Sequence, residues 1–299
     1  MPTIISVCLL SACTEVIDID LEQTKPYIVV NSIIDADTTV KVSLSYSRFF
    51  LEGGDFRKIN DANVVVKRNG SPMTLSSADQ GDYIFAETVH AGDILDLCVV
   101  VPGYDTVTAS TQVPSTPDVS AKGGLRFVEQ RDEYGGLSVT GRLTLRLYDK
   151  PGVQYYYVQI FSHINSSDNG SSKYFICNNP LVNNIASSDI LSQLESELDG
   201  ETNELYFSDE LFDGKDIDIS FDIPLYYSDY SSSDTSQFFS VHVTELTPAL
   251  FRYLRSSQAD DEDLFSMFTE PVQVICNIRN GIGIFAAQSR TRLTYQKED

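Results

Sequence analysis

The stretch Asp216-Ile217-Asp218-Ile219-Ser220-Phe221-Asp222-Ile223 alternates polar and apolar residues without a break. A strand turns successive side chains to opposite faces, so a period of two predicts a strand with Ile217, Ile219, Phe221 and Ile223 buried and the aspartates wet. The same pattern recurs on both sides. Upstream, Leu143, Leu145 and Leu147 alternate with Thr144, Arg146 and Tyr148, and Pro151-Gly152 turns the chain into a tyrosine-rich strand from Gln154 to Phe161. Near the start, Val40, Val42, Leu44 and Tyr46 alternate with Lys41, Ser43 and Ser45, beside a Val- and Ile-rich run from Tyr27 to Ile34. Val64 to Lys67 enters Asn69-Gly70, a pair that tolerates the positive φ of a hairpin turn. Further strands are predicted at Tyr83 to Phe85, Asp93 to Val101 and Thr106 to Val113. Short strands with turn signals between them are the mark of a sandwich.

Pro114-Ser115-Thr116-Pro117 reads as a linker, because two prolines hold the chain extended and out of any sheet. The run Val101-Pro102-Gly103-Tyr104, closed by Val113-Pro114, resembles immunoglobulin-like and carboxypeptidase-regulatory-like modules. The expected fold is therefore all-β. An N-terminal immunoglobulin-like β-sandwich spans 25–114, a linker 115–121, and a larger β-sandwich-like domain with two short helical insertions 122–299. One helix is capped by Ser188-Asp189, carries Ile190, Leu191, Leu194 and Leu198, and stops at Gly200. The other starts at Thr247-Pro248, an N-cap and N1 pair, and carries Leu250, Phe251 and Leu254. Both suit cover over a sheet, and the polar tract Asn165 to Ser172 suits an exposed loop.

The chain has 299 residues and a formal net charge of −22. A surface so acidic repels phosphate, which argues against nucleic acid and anionic lipid as partners. Solubility explains the charge most simply; attraction for cations or basic peptides is the sharper reading, and the sequence does not localise it. No stretch approaches the ~20 apolar residues of a membrane-spanning helix. The apolar segment Ile4 to Leu10 instead runs into Leu10-Ser11-Ala12-Cys13, which matches a lipoprotein box. Residues 1–12 then form a signal peptide, and lipid on Cys13 anchors the mature chain. Residues 13–24 mix Glu15, Asp18, Asp20 and Glu22 with apolar residues, as a tether or a first edge strand. Cys98, Cys177 and Cys276 are an odd set, consistent with one disulfide plus one thiol or with none. Cys98, inside the apolar run Ile94 to Val101, is expected to be a buried thiol.

Signs of chemistry are few. His90, His163 and His242 are scattered, and hydrolase, zincin and phosphate-loop motifs are missing, so a non-enzyme without cofactor or metal is expected. Asp213-Gly214-Lys215-Asp216-Ile217-Asp218 places carboxylates at alternate positions, as calcium favours, but a solvated strand face explains it equally well. Ligand or partner contact falls to Tyr226, Tyr227 and Tyr230, beside Ser231 to Ser233, unless that loop folds back and its rings join the core. With no Trp, there is no indole platform for sugars.

Two stretches carry a family likeness: Leu205-Tyr206-Phe207-Ser208-Asp209-Glu210-Leu211-Phe212-Asp213-Gly214-Lys215, and Pro271 to Phe285 with Asn277-Ile278-Arg279-Asn280-Gly281-Ile282-Gly283 at its centre. With the start Cys13-Thr14-Glu15-Val16-Ile17-Asp18, they resemble a Bacteroidota lipoprotein family, domain-of-unknown-function family 4249. Physically, Asn280-Gly281 suits a hairpin between two buried strands and Gly283 a close backbone approach. The resemblance implies an outer-membrane, surface-exposed lipoprotein encoded beside TonB-dependent receptors. Its expected role is that of a non-catalytic accessory or nutrient-binding partner of the importer. A structural or adhesive envelope protein is the alternative, and a degradative enzyme a more distant one.

Overall fold

The computed structural model describes residues 25–49, 53–131, 137–163, 170–177, 179–182, 201–225, 238–258 and 275–296. In chain order the strands begin with β1 (Ile28–Asp35), β2 (Thr39–Tyr46), β3 (Asn63–Arg68), β4 (Ser71–Pro72) and β5 (Leu75–Asp79). Then come β6 (Asp82–Thr88), β7 (Ile94–Val100), β8 (Val107–Gln112), β9 (Val119–Ala121) and β10 (Arg126–Arg131). β11 (Leu137–Leu147), β12 (Tyr155–His163), β13 (Ser171–Ser172), β14 (Phe175–Cys177) and β15 (Glu201–Thr202) follow. The last are β16 (Leu205–Ser208), β17 (Ile217–Leu225), β18 (Phe238–Leu246), the helix α1 (Pro248–Gln258) and β19 (Ile282–Gln296).

The expected all-β sandwich fold is present, built on one long sheet. Nine strands form it in the order β13-β12-β18-β19-β1-β2-β6-β5, with β16 also on β12. A four-stranded sheet, β4-β3-β7-β8, faces its N-terminal part. A six-stranded sheet, β10-β11-β17-β14-β15 with β9 on β11, faces the rest. The strand read most clearly from sequence, β17, pairs along its whole length with β11, Val139 opposite Leu225 through Leu147 opposite Ile217. Of the two expected helices, α1 forms where Thr247-Pro248 starts it, and the one over Ser188 to Gly200 lies outside the described residues.

β19 joins the two halves. Its first residues run parallel to β1, Val29 opposite Ile282 through Asp35 opposite Gln288. Its remaining residues run antiparallel to β18, Leu246 opposite Gln288 through Phe238 opposite Gln296. Alternation then assigns each side chain a neighbourhood. Phe285 and Ala287 enter the first core with Val30, Val42, Phe85 and Leu97. Tyr295, on the same face but further along, enters the second core with Leu145, Phe207, Phe221 and Val241. On the opposite face Ile284 and Ala286 meet Leu250 and Phe251 of α1, which covers the sheet at the junction. Residues 25–114 thus supply most of the first core, and Ile278, Phe285 and Ala287 complete it.

The turn into β19 differs from the sequence expectation. Asn280 takes a positive φ of 59°, but Ile275 to Ile278 form no strand, so no hairpin precedes it. Arg279 instead makes a bridge with Thr108 of β8, its N–H donating to the Thr108 carbonyl at 2.9 Å and its carbonyl accepting at 3.2 Å. The turn carries the chain from the edge of the four-stranded sheet to the middle of the long one. Gly283 does make the expected close approach: its φ is +108°, and a Cβ there would lie 2.0 Å from the Val30 carbonyl oxygen.

Candidate functional site

The inward face of β18 carries Phe239, Val241 and Val243 into the second core, and the next residue on that face is Glu245. The core has ended there, so a carboxyl meets the seam between the two smaller sheets. Glu245 is only 8% exposed. The linker crosses beside it: Ser115 Oγ donates to Glu245 Oε2 at 3.1 Å, and Lys150 Nζ donates to Ser115 Oγ at 2.7 Å. Thr116 and Ser289 hydroxyls meet at 3.1 Å, and Thr291 donates to the Pro117 carbonyl at 2.7 Å. The segment Pro114 to Pro117, read from sequence as a linker, is thereby fastened to the long sheet.

A cleft of about 720 Å³ opens at this seam. Gln112 and Ser115 line it from the first half and its linker, and Gln154, Glu245 and Arg252 from the second, with Asn277 ahead of the turn into β19. Gln154 Oε1 is buried and has no hydrogen-bond partner among the described residues. Burial raises the Glu245 carboxyl above the ordinary glutamate range, an effect offset in part by Ser115 and Lys150. Arg252 is exposed and donates from Nε to the Pro248 carbonyl within α1.

Behind the cleft lies a second polar cluster. Both oxygens of Asp209 accept the Gln154 backbone N–H, at 2.9 and 3.0 Å. Asp149 accepts the Gly214 N–H at 2.7 Å and Tyr156 Oη at 3.3 Å, and Asp213 accepts the Gly152 N–H at 2.8 Å. Asp209 is fully buried, and burial together with Asp149 pushes its carboxyl up to about 7. Asp149 is raised as well, mainly by burial, and the two carboxyls influence one another. Like charges this close do not both ionise readily.

A third cluster lies on the outer face of the long sheet. Register places His163 of β12 near Ser240 and His242 of β18, with His163 Nε2 2.8 Å and His242 Nε2 3.3 Å from Ser240 Oγ. His163 stacks on Phe238 and His242 packs on Phe161. Burial, with Arg290 and Arg292 nearby, lowers His242 to about 4, so its ring is neutral at physiological pH. A serine between two imidazoles has the elements of an activated nucleophile. Ser240 is fully buried, however, and its hydroxyl joins two strands rather than facing a substrate.

The model of the family described as Domain of unknown function (DUF4249) matches residues 14–294. The chain belongs to the DUF4249 family. No curated protein matches it. Among solved structures, the collagen adhesin of S. aureus aligns over 92% of this chain and 96% of its own, at 8% identity and a TM-score of 0.16. A likeness at that level carries no argument about fold or function.

The two stretches that carry the DUF4249 likeness have structural work in common. In the first, Leu205, Tyr206, Phe207 and Ser208 are all buried in β16, and Asp209, Asp213 and Gly214 tie the following turn to the loop before β12. In the second, Asn277 uses its amide as a strand would, donating to the Phe285 carbonyl at 2.7 Å and accepting its N–H at 3.0 Å. The second stretch reaches the cleft through Asn277.

Of the residues singled out from sequence, Cys13, Tyr226, Tyr227 and Tyr230 lie outside the described residues. Cys98, Cys177 and Cys276 are free thiols. Cys98 is half-buried rather than buried, because it points from the outer face of β7 while Leu97 and Val99 take the core. Cys177 is the buried one. In the acidic run, Asp216 and Asp218 face Arg146 at 3.7 and 3.9 Å, and Asp218 also pairs with Lys122, so a wet strand face accounts for them. No group of metal-ligating side chains occurs among the described residues, and none of their helices is long and apolar enough to cross a membrane. Sequence reasoning missed Glu245 and Gln154. Thr244-Glu245-Leu246 reads as ordinary strand alternation, and only the place where the core stops gives that glutamate its role.

Proposed function

We propose that this DUF4249 protein is a lipid-anchored, surface-exposed outer-membrane protein that binds a ligand without catalysing its conversion and serves a TonB-dependent importer. The seam cleft is its binding site. The observation that carries this reading is the cleft itself, about 720 Å³ and lined by Glu245 and by Gln154, whose buried Oε1 takes no hydrogen bond among the described residues. The lipoprotein box ending at Cys13 supports the anchor, and the resemblance to lipoproteins encoded beside receptors supports the importer.

The test uses the full-length gene product in its own cells. Labelling with a fatty-acid probe is expected to mark the wild type and not Cys13→Ser, and mild-detergent affinity purification is expected to recover a TonB-dependent barrel. Gln112 is exposed at the cleft mouth, so Gln112→Trp should block ligand uptake while leaving labelling and barrel recovery intact. An unlabelled wild type would remove the anchor. Absence of any barrel would remove the importer.

A further inference from the structure

Two acceptor oxygens at the cleft, Glu245 Oε1 and Gln154 Oε1, take no hydrogen bond among the described residues. Glu245 Oε2 takes the Ser115 hydroxyl, but no hydrogen bond among the described residues reaches Oε1. Lys150 meets this carboxyl only through Ser115, donating to Ser115 Oγ at 2.7 Å. Gln154 Oε1 is the second acceptor, buried and unpaired. A buried carbonyl without a donor is costly, and so is a buried carboxylate with no cation in direct contact. A site with spare buried acceptors, one of them a carboxyl oxygen, is matched by a ligand that brings donors and positive charge.

We infer that the seam cleft binds a cationic group, an ammonium or guanidinium, seated between Glu245 and Gln154. This rests on the reading of the cleft as a ligand site and adds the ligand's chemistry to it. Such a head presents several N–H donors with no acceptor, which suits both oxygens. The acidic surface draws cations toward the protein from a distance, and Glu245 gives that general attraction a place to end. Arg252 lines the same cleft, and among the described residues its one side-chain hydrogen bond goes to the Pro248 carbonyl, not to Glu245.

The experiment is calorimetric titration of the full chain with trilysine and with 1,5-diaminopentane, each beside its N-acetylated, neutral counterpart. The free amines are expected to bind and the acetylated forms to bind roughly thirtyfold more weakly or worse. Glu245→Gln should bring a similar loss, and Gln112→Trp should abolish binding from outside the core. Asp79→Asn on exposed β5 makes the same change in net charge and should alter affinity by less than about twofold. Binding of trilysine alone would assign the cation to a peptide side chain, and binding of both amines to small polyamines as well. Equal affinity for acetylated probes, blocked by Gln112→Trp, would overturn the cationic ligand while leaving the cleft a binding site. Amine binding that survives Gln112→Trp, or no binding of any probe, would overturn the inference outright.

Discussion

Ionising Asp209 places a charge where no solvent reaches, beside the carboxyl of Asp149 and with Asp213 near. An unfolded aspartate titrates near ~3.9, whereas Asp209 in the fold titrates at about 7. The folded protein therefore holds this proton more tightly, so the stabilisation is complete below pH ~4 and is lost as pH rises through ~7. Asp149 and Glu245 are also raised, mainly by burial, and act in the same sense. Asp82, lowered chiefly by its hydrogen bond from Lys41, acts in the opposite sense but only in acid. Urea midpoints are expected to fall between pH ~5 and ~8 in the wild type and to change less in Asp209→Asn, which fixes the neutral form. An unchanged pH slope in that variant would assign the effect elsewhere. Gly283→Ala puts a methyl 2.0 Å from the Val30 carbonyl at a φ of +108°, and should cost at least ~3 kcal/mol in equilibrium unfolding. Gly283 was legible as a close approach, because a glycine between two β-branched residues in a strand has few other reasons to be there. Asp209 was not: Ser208-Asp209-Glu210 looks like any acidic turn until the Gln154 amide is placed against it.

Elements were legible where one face is dry. β17 and β2 announce themselves by alternation, and Asn69-Gly70 forms its turn with φ values of 52° and 83°. β5 could not be seen, since all five of its residues are exposed and it holds the edge of the long sheet by pairing with β6 rather than by burying a face. The helix signal at Thr247-Pro248 was sound for a local reason: Thr247 Oγ1 accepts the Leu250 N–H at 3.4 Å and its carbonyl accepts the Phe251 N–H at 3.0 Å. Thr247→Ala should lower stability by about 1 kcal/mol. Asn277 is the more sensitive position. β18 pairs with β19 only from Gln288 onward, so the backbone of Phe285 faces an open edge that the Asn277 amide fills. Asn277→Ala leaves an N–H and a carbonyl unanswered and should cost about 2–4 kcal/mol. Asn277→Asp keeps the acceptor but loses the donor, and should fall between the two in a denaturant series.

Across the whole molecule, the double pairing of β19 left no local sign in the sequence, because its two partners lie at opposite ends of the chain. Composition and periodicity could place two strand-rich regions on either side of Pro114. They could not tell that the last strand supplies both. Folding should accordingly be cooperative, with fluorescence and circular dichroism reporting coincident unfolding of both cores. A fragment of residues 25–114 lacks Phe285 and Ala287, and should remain without fixed tertiary structure until a peptide of residues 275–296 is added in trans. Well-dispersed amide spectra from that fragment alone would contradict the shared-strand view. The cleft follows from the same arrangement. Two smaller sheets packed on one face of a longer one leave a gap where they part, and Glu245 stands in it.

The order of synthesis gives β19 one more consequence. The hydrophobic interior of the earlier-translated half is sealed by a strand translated much later, so a nascent chain cannot finish that half until β19 has left the ribosome. Pairings that distant in sequence form slowly. A polypeptide that must pass a narrow translocation pore before collapsing would gain from such a delay.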